Sequence, residues 1–435
     1  MSMPNRLWTP ENFVPVSDNL MEQVVDRLNL TKACKRVLSN GGSAGVDGME
    51  TTYLPGWLQR NLSKLQESLM KGEYQPQPVR PVEIGKPGGG MRLLGIPTVV
   101  DRMVQQAIHQ VLNPHFDPEF SPNSYGFRKG RNAADAVLKA QEYQREGKRW
   151  VVDVDLSKFF DEVNHDVLMS LIKRKVKDIR LLKLIDKYLR TGIMQGGVAS
   201  PRQKGTPQGS PLSPLLSNIM LNELDKELEK RGHSFCRYAD DFIILVRSRK
   251  SAERVFTSTT RFIERRLKLQ INHTKSRVIQ GYKLTFPGYG FTADKNVRLT
   301  VPMAIRQRFR RKAKQLFRKG RGMNIQRFIT DKLNPLIRGW VNYYKHCNVK
   351  GFAEELDGWV RRRLRLIIWR QWKKPRTRFR RFISLGLKYD HAMQCAYNGR
   401  GAWWNSGAQH MQFCFPKKHF DQMGLVSMLY YIVRC

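Results

Sequence analysis

Two short stretches of the chain carry paired carboxylates beside apolar residues. WVVDVDLSKFF contains Asp153 and Asp155, and RYADDFIILV contains Asp240 and Asp241 side by side. Because side chains alternate along a strand, Asp153 and Asp155 lie on one face of the strand that the first stretch predicts. Carboxylates crowded in this way raise one another's pKa unless a cation neutralises them.

Magnesium suits such a site, because it binds through one or two protein carboxylates together with substrate phosphates. Paired magnesium ions stabilise the attacking and leaving oxygens of phosphoryl transfer. The two stretches therefore favour nucleotidyl transfer. Two alternatives stay open at this point. Either a basic side chain supplies the neutralising charge, or Asp240 and Asp241 form an ordinary hairpin turn that bonds nearby backbone amides.

Two glycine-rich loops offer places for a substrate. In KPGGGMR, Lys86 and Arg92 flank a flexible turn that can wrap a triphosphate, with a plain hairpin turn as the alternative. In GTPQGSPLSP, residues 205–214, glycine and proline shape a loop in which Gln208 can face a substrate across a close backbone approach. Each loop is a weak signal by itself, and their order along the chain makes the set specific.

Hydrophobic periodicity predicts the elements that must position these residues. Before residue 300, short apolar runs alternate with longer helical patterns, which predicts an α/β unit. The clearest helix runs from Pro214 to Arg231, with Ser213 as its N-cap and Gly232 as its C-terminal stop. Its predicted buried stripe consists of Leu215, Ile219, Leu224 and Leu228.

The formal net charge of +40 indicates a polyanionic partner. More than half of this charge falls between Arg306 and Arg381, a stretch with 25 Lys and Arg residues and four acidic ones. In WVRRRLRLIIWRQWKK, helical periodicity separates an apolar side from Arg361, Arg362 and Arg365. We expect these arginines to form a nucleic-acid-binding face, with a merely solvated basic helix as the alternative. Aromatic residues between the cations suit base stacking, namely Trp340, Tyr343, Tyr344, Trp369 and Trp372.

Other partners and sites are not favoured by the sequence. No apolar run approaches the roughly 18 residues of a membrane span, and the N-terminus MSMPNRLWTP has no signal-peptide pattern. The six cysteines are scattered without a CxxC pair, so we expect reduced thiols, no disulfide framework and no zinc site. These features predict a cytoplasmic protein.

Taken in order, the motifs closely resemble those of reverse transcriptases encoded by bacterial group II introns. The nearest class is the short, group IIC-like one that lacks an endonuclease domain. The resemblance spans nearly the whole chain and rests on KPGGGMRLLGIPTVVDRMVQQAI, SYGFRKGRNA, DVDLSKFFDEVNHD, GTPQGSPLSPLLSNIMLNELDKELEKRG, RYADDF, NHTKS, LIRGWVNYY and RRRLRLIIWRQWK. A departure is Pro287 in TFPGYGF, where the family usually has leucine, and it puts the shape of the primer-facing edge in question.

The resemblance implies a right-hand polymerase with α/β fingers and a palm built on an antiparallel sheet. An α-helical thumb and maturase region and a small C-terminal DNA-binding segment follow. The implied boundaries are 1–75 for an N-terminal extension, 76–295 for fingers and palm, 296–375 for thumb and maturase, and 376–435 for the C-terminal segment.

The resemblance also implies roles for single residues. Asp155, Asp240 and Asp241 are the expected catalytic residues and the ligands of two magnesium ions, with Asp153 as the fallback. Phe160 is the expected steric gate that selects deoxynucleotides, with core packing as the alternative. The residues expected to contact the incoming nucleotide are Lys86, Arg92, Gln208 and Lys275.

The implied function is RNA-directed DNA synthesis combined with binding of the protein's own intron RNA. Such a protein assists splicing as a maturase and copies the intron into DNA during retromobility. Its partners are the intron RNA, an RNA template/DNA primer duplex, target DNA and deoxynucleotides. The alternatives are a splicing-only maturase with a vestigial polymerase site, and the reverse transcriptase of a retron or of a diversity-generating element. The presence of Asp155, Phe160, Gln208, Asp240 and Asp241 favours the polymerase.

Overall fold

A computed structural model of the chain describes residues 19–85, 89–195, 198–200 and 203–434. The chain divides into two compact units, residues 1–281 and 282–435. The predicted four-part division with boundaries at 75, 295 and 375 stays a prediction.

The first unit contains ten helices in its described part. They are α1 (Leu20–Val25), α2 (Arg27–Asn40), α3 (Leu54–Met70), α4 (Val99–Phe116), α5 (Ala133–Arg145), α6 (Phe159–Glu162), α7 (His165–Lys175), α8 (Ile179–Arg190), α9 (Ser213–Lys230) and α10 (Arg249–Phe262). Its strands are β1 (Arg80–Gly85), β2 (Met91–Ile96), β3 (Trp150–Val154), β4 (Ile193–Gln195), β5 (Val198–Ser200), β6 (Ser234–Tyr238), β7 (Asp241–Val246) and β8 (Arg277–Gln280).

A four-stranded sheet with the order β6-β7-β3-β8 forms the centre of the first unit. Every neighbouring pair in it is antiparallel, as the resemblance predicted. The central strands consist mainly of β-branched and aromatic residues, which favour extended backbone. Helix α10 packs on β3, β7 and β8, and α5 and α9 pack on β6. Helices therefore cover much of the sheet, while Arg277 of β8 stays exposed.

The predicted helix before the RYADDF stretch is confirmed as α9, with one correction at its start. All four residues of its predicted stripe are buried. Ser213 is the first helical residue and makes no capping hydrogen bond, because its hydroxyl donates to the carbonyl oxygen of Pro207 at 2.9 Å. Leu212 occupies the N-cap position instead. Gly232 follows the helix with φ at +70°, as expected of a glycine stop.

The second unit combines a small sheet with a series of helices. Its strands, in the order β11-β10-β9, are β9 (Thr285–Phe286), β10 (Tyr289–Phe291) and β11 (Leu299–Thr300). Its helices are α11 (Met303–Lys319), α12 (Ile325–Phe328), α13 (Asn334–Tyr344), α14 (Lys350–Gln371), α15 (Pro375–Ser384), α16 (Tyr389–Tyr397), α17 (Ala402–Gly407), α18 (Gln409–Cys414), α19 (Lys417–Gln422) and α20 (Met428–Arg434). Within the described residues, no helix is both long and apolar enough to cross a membrane. The cysteines described there and in the first unit are all free thiols.

The unusual Pro287 lies in the turn between β9 and β10. Phe286 pairs with Tyr289, so Pro287 and Gly288 form a two-residue connection. Gly288 has φ at +84°, a value that glycine adopts without steric cost. The hydroxyl of Tyr343 donates to the carbonyl oxygen of Pro287 at 2.7 Å. The proline therefore stiffens a turn that α13 also anchors.

Candidate active site

The register of the central sheet brings the two aspartate stretches together. Val154, the last residue of β3, pairs with Phe242 of β7. Asp155, which follows Val154, and Asp241, which precedes Phe242, therefore lie beside each other. Tyr238 pairs with Asp241, so Ala239 and Asp240 form the two-residue turn of the β6–β7 hairpin. Asp155 and Asp240 are half-buried and Asp241 is exposed.

Two cations from the loop before β8 and from β8 itself contact the carboxylates of the β3 stretch. Lys275 Nζ lies 3.4 Å from Asp155 Oδ2. Arg277 Nε lies 3.3 Å from Asp153 Oδ2. The backbone amide of Asp155 donates to Ser276 Oγ at 3.0 Å, which fixes the end of the strand. Basic side chains therefore neutralise part of the negative charge, which was one of the alternatives for these carboxylates. One of these side chains is Lys275, a predicted site residue.

The pKa values of three carboxyl groups at the site are raised above their ordinary range. Burial raises the pKa of Asp153, and Arg277 opposes the rise. Burial also raises the pKa of Asp240, with Asp155 adding to the rise while Arg92 and Arg237 oppose it. Loss of water around its carboxyl group raises the pKa of Asp241 to about 6, and the charges of Asp240, Asp155 and Asp153 add to the rise. The residue as a whole is nonetheless exposed. The site thus holds more negative charge than its cations neutralise.

This donor set fits magnesium in kind. The candidate ligands are all carboxylate oxygens, which hard divalent cations prefer. No group of three His, Cys, Asp or Glu residues in the described part of the chain is arranged to hold a metal ion. Magnesium normally takes one or two carboxylates and completes its shell with water and substrate phosphate, so a three-ligand protein cage is not required.

The loop at 205–210 packs against the helix that carries Phe160. The amide of Thr206 donates to the carbonyl oxygen of Phe160 at 2.6 Å. A Cβ atom on Gly205 would lie 2.8 Å from the carbonyl oxygen of Asp161, so the close approach requires glycine. Phe160 is half-buried, packs against the core and meets Phe159 edge-to-face at 5.3 Å between ring centroids. Its side chain remains partly accessible, so both of its alternatives stay open.

The same loop is tied to the strand that carries Arg92. The amide of Gly95 in β2 donates to the carbonyl oxygen of Gln208 at 3.0 Å. Arg92 pairs with Ile84 across the β1–β2 hairpin, and its charge reaches Asp240. Lys86 lies outside the described residues. The structure therefore brings Arg92 and Lys275 to the carboxylates, and it ties the backbone of Gln208 to the strand that carries Arg92.

Sequence reasoning missed one buried residue at the site. Arg237, in β6 two residues before the turn, is fully buried and paired with Asp225 of α9 at 2.6 Å. The available signal was an arginine inside an otherwise apolar strand, together with polar Asn218 and Asp225 on the buried side of a helix.

The expected cationic face on α14 is wrong for Arg365. Arg365 is 8% exposed, and its Nε donates to the carbonyl oxygen of Phe415 at 3.0 Å. The guanidinium of Arg362 lies 4.0 Å from the ring centroid of Trp403 and also donates to the Trp403 carbonyl oxygen. Arg361 is half-buried. The apolar side of the helix is correct, and the other side is covered only in part, because Arg365 is buried while Arg361 and Arg362 are half-buried.

The expectation of base stacking is also wrong for most of the predicted aromatic residues. Trp340, Tyr344 and Trp369 are buried in the core of the second unit. Trp372 packs on Phe382 and Phe415, whereas Tyr343 contacts Tyr289 but is 41% exposed, so base stacking on Tyr343 stays a prediction. Among the residues that the structure describes, the exposed indoles are Trp403 and Trp404, with Arg363 over the first at 4.6 Å and Arg400 over the second at 4.1 Å.

A cationic cleft lies between α11 and α14. Its volume is about 210 Å³, and its apolar floor contains Phe317. The cations that line it are Lys314, Arg318, Arg321, Arg363 and Arg370. Burial, followed by the charges of neighbouring arginines, lowers the pKa of Arg363. Among the residues that the structure describes, no carboxylate forms an ion pair with any of the five. The cleft therefore suits an anion such as a backbone phosphate.

Comparisons with known proteins agree with this arrangement. Residues 84–291 match the family model "Reverse transcriptase (RNA-dependent DNA polymerase)". Residues 306–384 match "Group II intron, maturase-specific domain", and neither model is an endonuclease.

Individual relatives differ in how much of their length the chain spans. The chain is 35% identical over 289 residues to Protein YkfC of Escherichia coli (strain K12), which covers 57% of this chain and 76% of YkfC. It is 39% identical over 195 residues to the group II intron-encoded protein LtrA of Lactococcus lactis subsp. cremoris. The aligned region covers 45% of this chain and 32% of LtrA. A chain of a partial Cas6-RT-Cas1–Cas2 complex is 28% identical, with a TM-score of 0.36 over 57% of this chain and 42% of that one. With both family models and YkfC in agreement, the chain belongs to the family of group II intron-encoded reverse transcriptases and maturases.

Proposed function

We propose that this protein is an RNA-directed DNA polymerase that also binds its own group II intron RNA and assists its splicing. The observation that carries the proposal is the meeting of Asp155, Asp240 and Asp241 at the strand ends of the palm sheet, beside Arg92 and Lys275. A splicing-only protein has no need for this cluster, whose mutual repulsion costs stability.

The chain's own residues have distinct tasks in this proposal. Asp155, Asp240 and Asp241 would hold magnesium, which supplies the positive charge that activates the primer 3′-hydroxyl and stabilises the leaving pyrophosphate. Arg92 contributes a cation near Asp240 for the triphosphate, with Lys86 as its predicted companion. Lys275 pairs with Asp155 and is free to exchange that carboxylate for a phosphate oxygen.

Phe160 and Gln208 are proposed to shape the site for the nucleotide. The 205–210 loop fixes α6 through the Thr206 amide, and Phe160 is thereby held in place. A fixed ring can exclude a 2′-hydroxyl by steric clash. Gln208 is half-buried, and its backbone is anchored to Gly95, so its amide can meet a base pair or sugar.

The nucleic-acid-binding surface is proposed to be the cleft between α11 and α14 together with the Trp403 and Trp404 stacks. Phosphates fit between unpaired guanidinium groups, and bases stack on exposed indoles. Arg361 and Arg362 stay in this proposal as neighbours of the surface, whereas Arg365 leaves it. Target DNA and intron RNA are both candidate occupants, in a cytoplasmic ribonucleoprotein.

Primer extension with matched aspartate variants tests the polymerase. With an RNA template, a DNA primer, deoxynucleotides and magnesium, the wild-type protein should extend the primer, and a chelator should stop it. Asp155→Asn should abolish extension, while Asp153→Asn, on the same face and already paired with Arg277, should retain much more. The reverse order would transfer the metal role to Asp153.

A splicing assay separates the two activities. Asp240→Asn combined with Asp241→Asn should abolish DNA synthesis but keep intron RNA binding and assisted splicing, because neither change touches the basic surface. If the wild-type protein promoted splicing and extended no primed template, the splicing-only alternative would replace the polymerase.

A further inference from the structure

A fully buried arginine links the helix behind the active site to the turn that carries Asp240. The guanidinium of Arg237 meets Asp225 with Nε at 2.8 Å and Nη2 at 2.6 Å. Its remaining nitrogen, Nη1, donates to Asn218 Oδ1 at 2.9 Å and to the carbonyl oxygen of Ala239 at 2.9 Å. One side of the planar group is thus fixed by a carboxylate, and the other side holds the backbone of the turn.

The turn needs such a constraint because its first residue is strained. Ala239 has φ at +59°, a left-handed conformation that residues with a Cβ atom seldom adopt. Two-residue hairpin turns favour Gly, Asn or Asp where φ is positive. An alanine at this position therefore keeps its conformation only if the surrounding structure enforces it.

A second contact confines the turn from the opposite direction. A Cβ atom on Gly126 would lie 2.1 Å from the amide nitrogen of Ala239, so the backbone of residue 126 lies directly against the turn. Asn218 Nδ2 donates to the carbonyl oxygen of Gly126 at 3.0 Å. Asn218 therefore joins both constraints, because it binds Arg237 through Oδ1 and Gly126 through Nδ2.

The geometry of this network matters more than its charge. Buried ion pairs are weak evidence for stability, because desolvation offsets much of the attraction. Only a planar fork can pair with Asp225 on one edge and reach two further oxygens on the other. Lysine, with a single ammonium group, cannot make both sets of contacts.

We propose that Arg237 is a positioning residue for Asp240 and Asp241, acting through the Ala239 carbonyl group and supported by Asn218. The network sets where the two carboxylates lie relative to Asp155 and contacts neither substrate nor metal itself. This inference rests on the proposed polymerase function, since position matters only if the carboxylates act.

Two asparagines on α9 provide a matched pair for the test. Asn218 is bound to Arg237 and Gly126, whereas Asn222, one turn later, is equally buried and bonds the backbone of Ser121 and Glu119 without reaching the turn. Asn218→Ala and Asn222→Ala each remove one buried amide that ties α9 to the same segment. Asn218→Ala leaves the pair of Arg237 with Asp225 in place, and thermal unfolding of the variant checks its fold.

The first readout is single-turnover nucleotide incorporation by the full chain. Asn218→Ala should lower the maximal rate between about 10- and 100-fold, because a misplacement of about 1 Å costs on the order of 100-fold. The affinity for primer–template should stay at the wild-type value. Asn222→Ala should keep the wild-type rate, and Arg237→Lys should match or exceed the loss in Asn218→Ala.

The second readout needs no activity. Hydrogen–deuterium exchange of the peptide that covers residues 237–243 should speed up in Asn218→Ala and stay unchanged in Asn222→Ala. Thermal unfolding should show both variants folded, with the larger loss in Asn218→Ala because its amide bonds a charged guanidinium. Equal rates and equal exchange in the two alanine variants would reduce the network to ordinary core packing and overturn the inference. If the wild-type protein made no DNA, the proposed function would fail, and the exchange comparison would still decide whether the network holds the turn.

Discussion

Substitution of Arg365 distinguishes a buried arginine from the arginines beside it. Arg365 is 8% exposed and bonds the carbonyl oxygen of Phe415. Burial, followed by the charge of Arg361, lowers its pKa from the ordinary value of an arginine to about 10. At about 1.4 kcal/mol for each pKa unit, this difference corresponds to roughly 3 kcal/mol of unfavourable charge burial.

The expected changes in the free energy of unfolding follow from this cost. Arg365→Met removes the roughly 3 kcal/mol but gives up a charged hydrogen bond and leaves a buried carbonyl group unpaired, at about 2 to 3 kcal/mol. The two contributions nearly cancel, so stability should change by no more than about 1 kcal/mol. Arg365→Glu places an unpaired carboxylate beside a carbonyl oxygen and should cost about 3 to 5 kcal/mol. Arg361→Glu, at a half-buried position, should cost less than about 1 kcal/mol.

Urea unfolding followed by tryptophan fluorescence measures these differences. Six of the nine tryptophans lie in residues 282–435, so the signal reports mainly on the unit that contains Arg365. Intron RNA affinity should be measured on the same preparations under native conditions. If Arg365→Glu unfolded at the wild-type midpoint and bound RNA as weakly as Arg361→Glu does, Arg365 would belong to the binding surface and its structural role would be refuted.

Three further predictions concern the nucleotide site, the turn and the cleft. Phe160→Ala should raise the efficiency of ribonucleotides relative to deoxynucleotides in single-nucleotide kinetics, and an unchanged ratio would assign Phe160 to the core. Gly126→Ala should abolish DNA synthesis by driving its Cβ into the β6–β7 turn, whereas Gly130→Ala, which has open space around it, should cost stability alone in the same extension and unfolding assays. Arg321→Glu should weaken intron RNA binding and flatten the slope of log affinity against log salt by about 0.7 to 0.9 for each phosphate that the protein no longer neutralises. Arg254→Glu, the same charge change on α10, should keep the wild-type slope, and equal slopes in both variants would place the RNA elsewhere.

The contrast between the two sides of α14 shows what periodicity predicts. The apolar side was correct, because residues three and four apart share a helix face. The expectation for the other side was wrong at Arg365, because helices of the same unit also pack on α14 and the Phe415 backbone covers this residue. A hydrophobic pattern identifies an apolar side but does not reveal which neighbours cover the polar one. The contacts of Arg365 with Phe415 and of Arg362 with Trp403 join residues about 40 to 50 positions apart, and no local pattern encodes them.

The sequence said more about the carboxylates than about the residues that support them. Strand alternation placed Asp153 and Asp155 on one face, and only the resemblance to reverse transcriptases selected Asp155 as the partner of Asp240 and Asp241. The pairing of Lys275 with Asp155 needed the register of β8 and its preceding loop, which the sequence does not specify. Arg237 was missed because a strand pattern treats any single polar residue as an exception, whereas its burial follows from contacts with α9 and with the segment at Gly126.

The order of strands in the central sheet has a consequence for synthesis of the chain on the ribosome. Strand β3 pairs on one side with β7 and on the other with β8, so both neighbours are translated after it. Asp240 is made 85 residues after Asp155, which takes roughly 4 to 17 seconds at about 5 to 20 residues per second. During this interval the apolar residues of β3 have two unpaired edges, a state that favours association with other chains. Expression conditions that slow elongation between residues 155 and 280 should therefore lower the yield of folded protein, even though no residue has been changed.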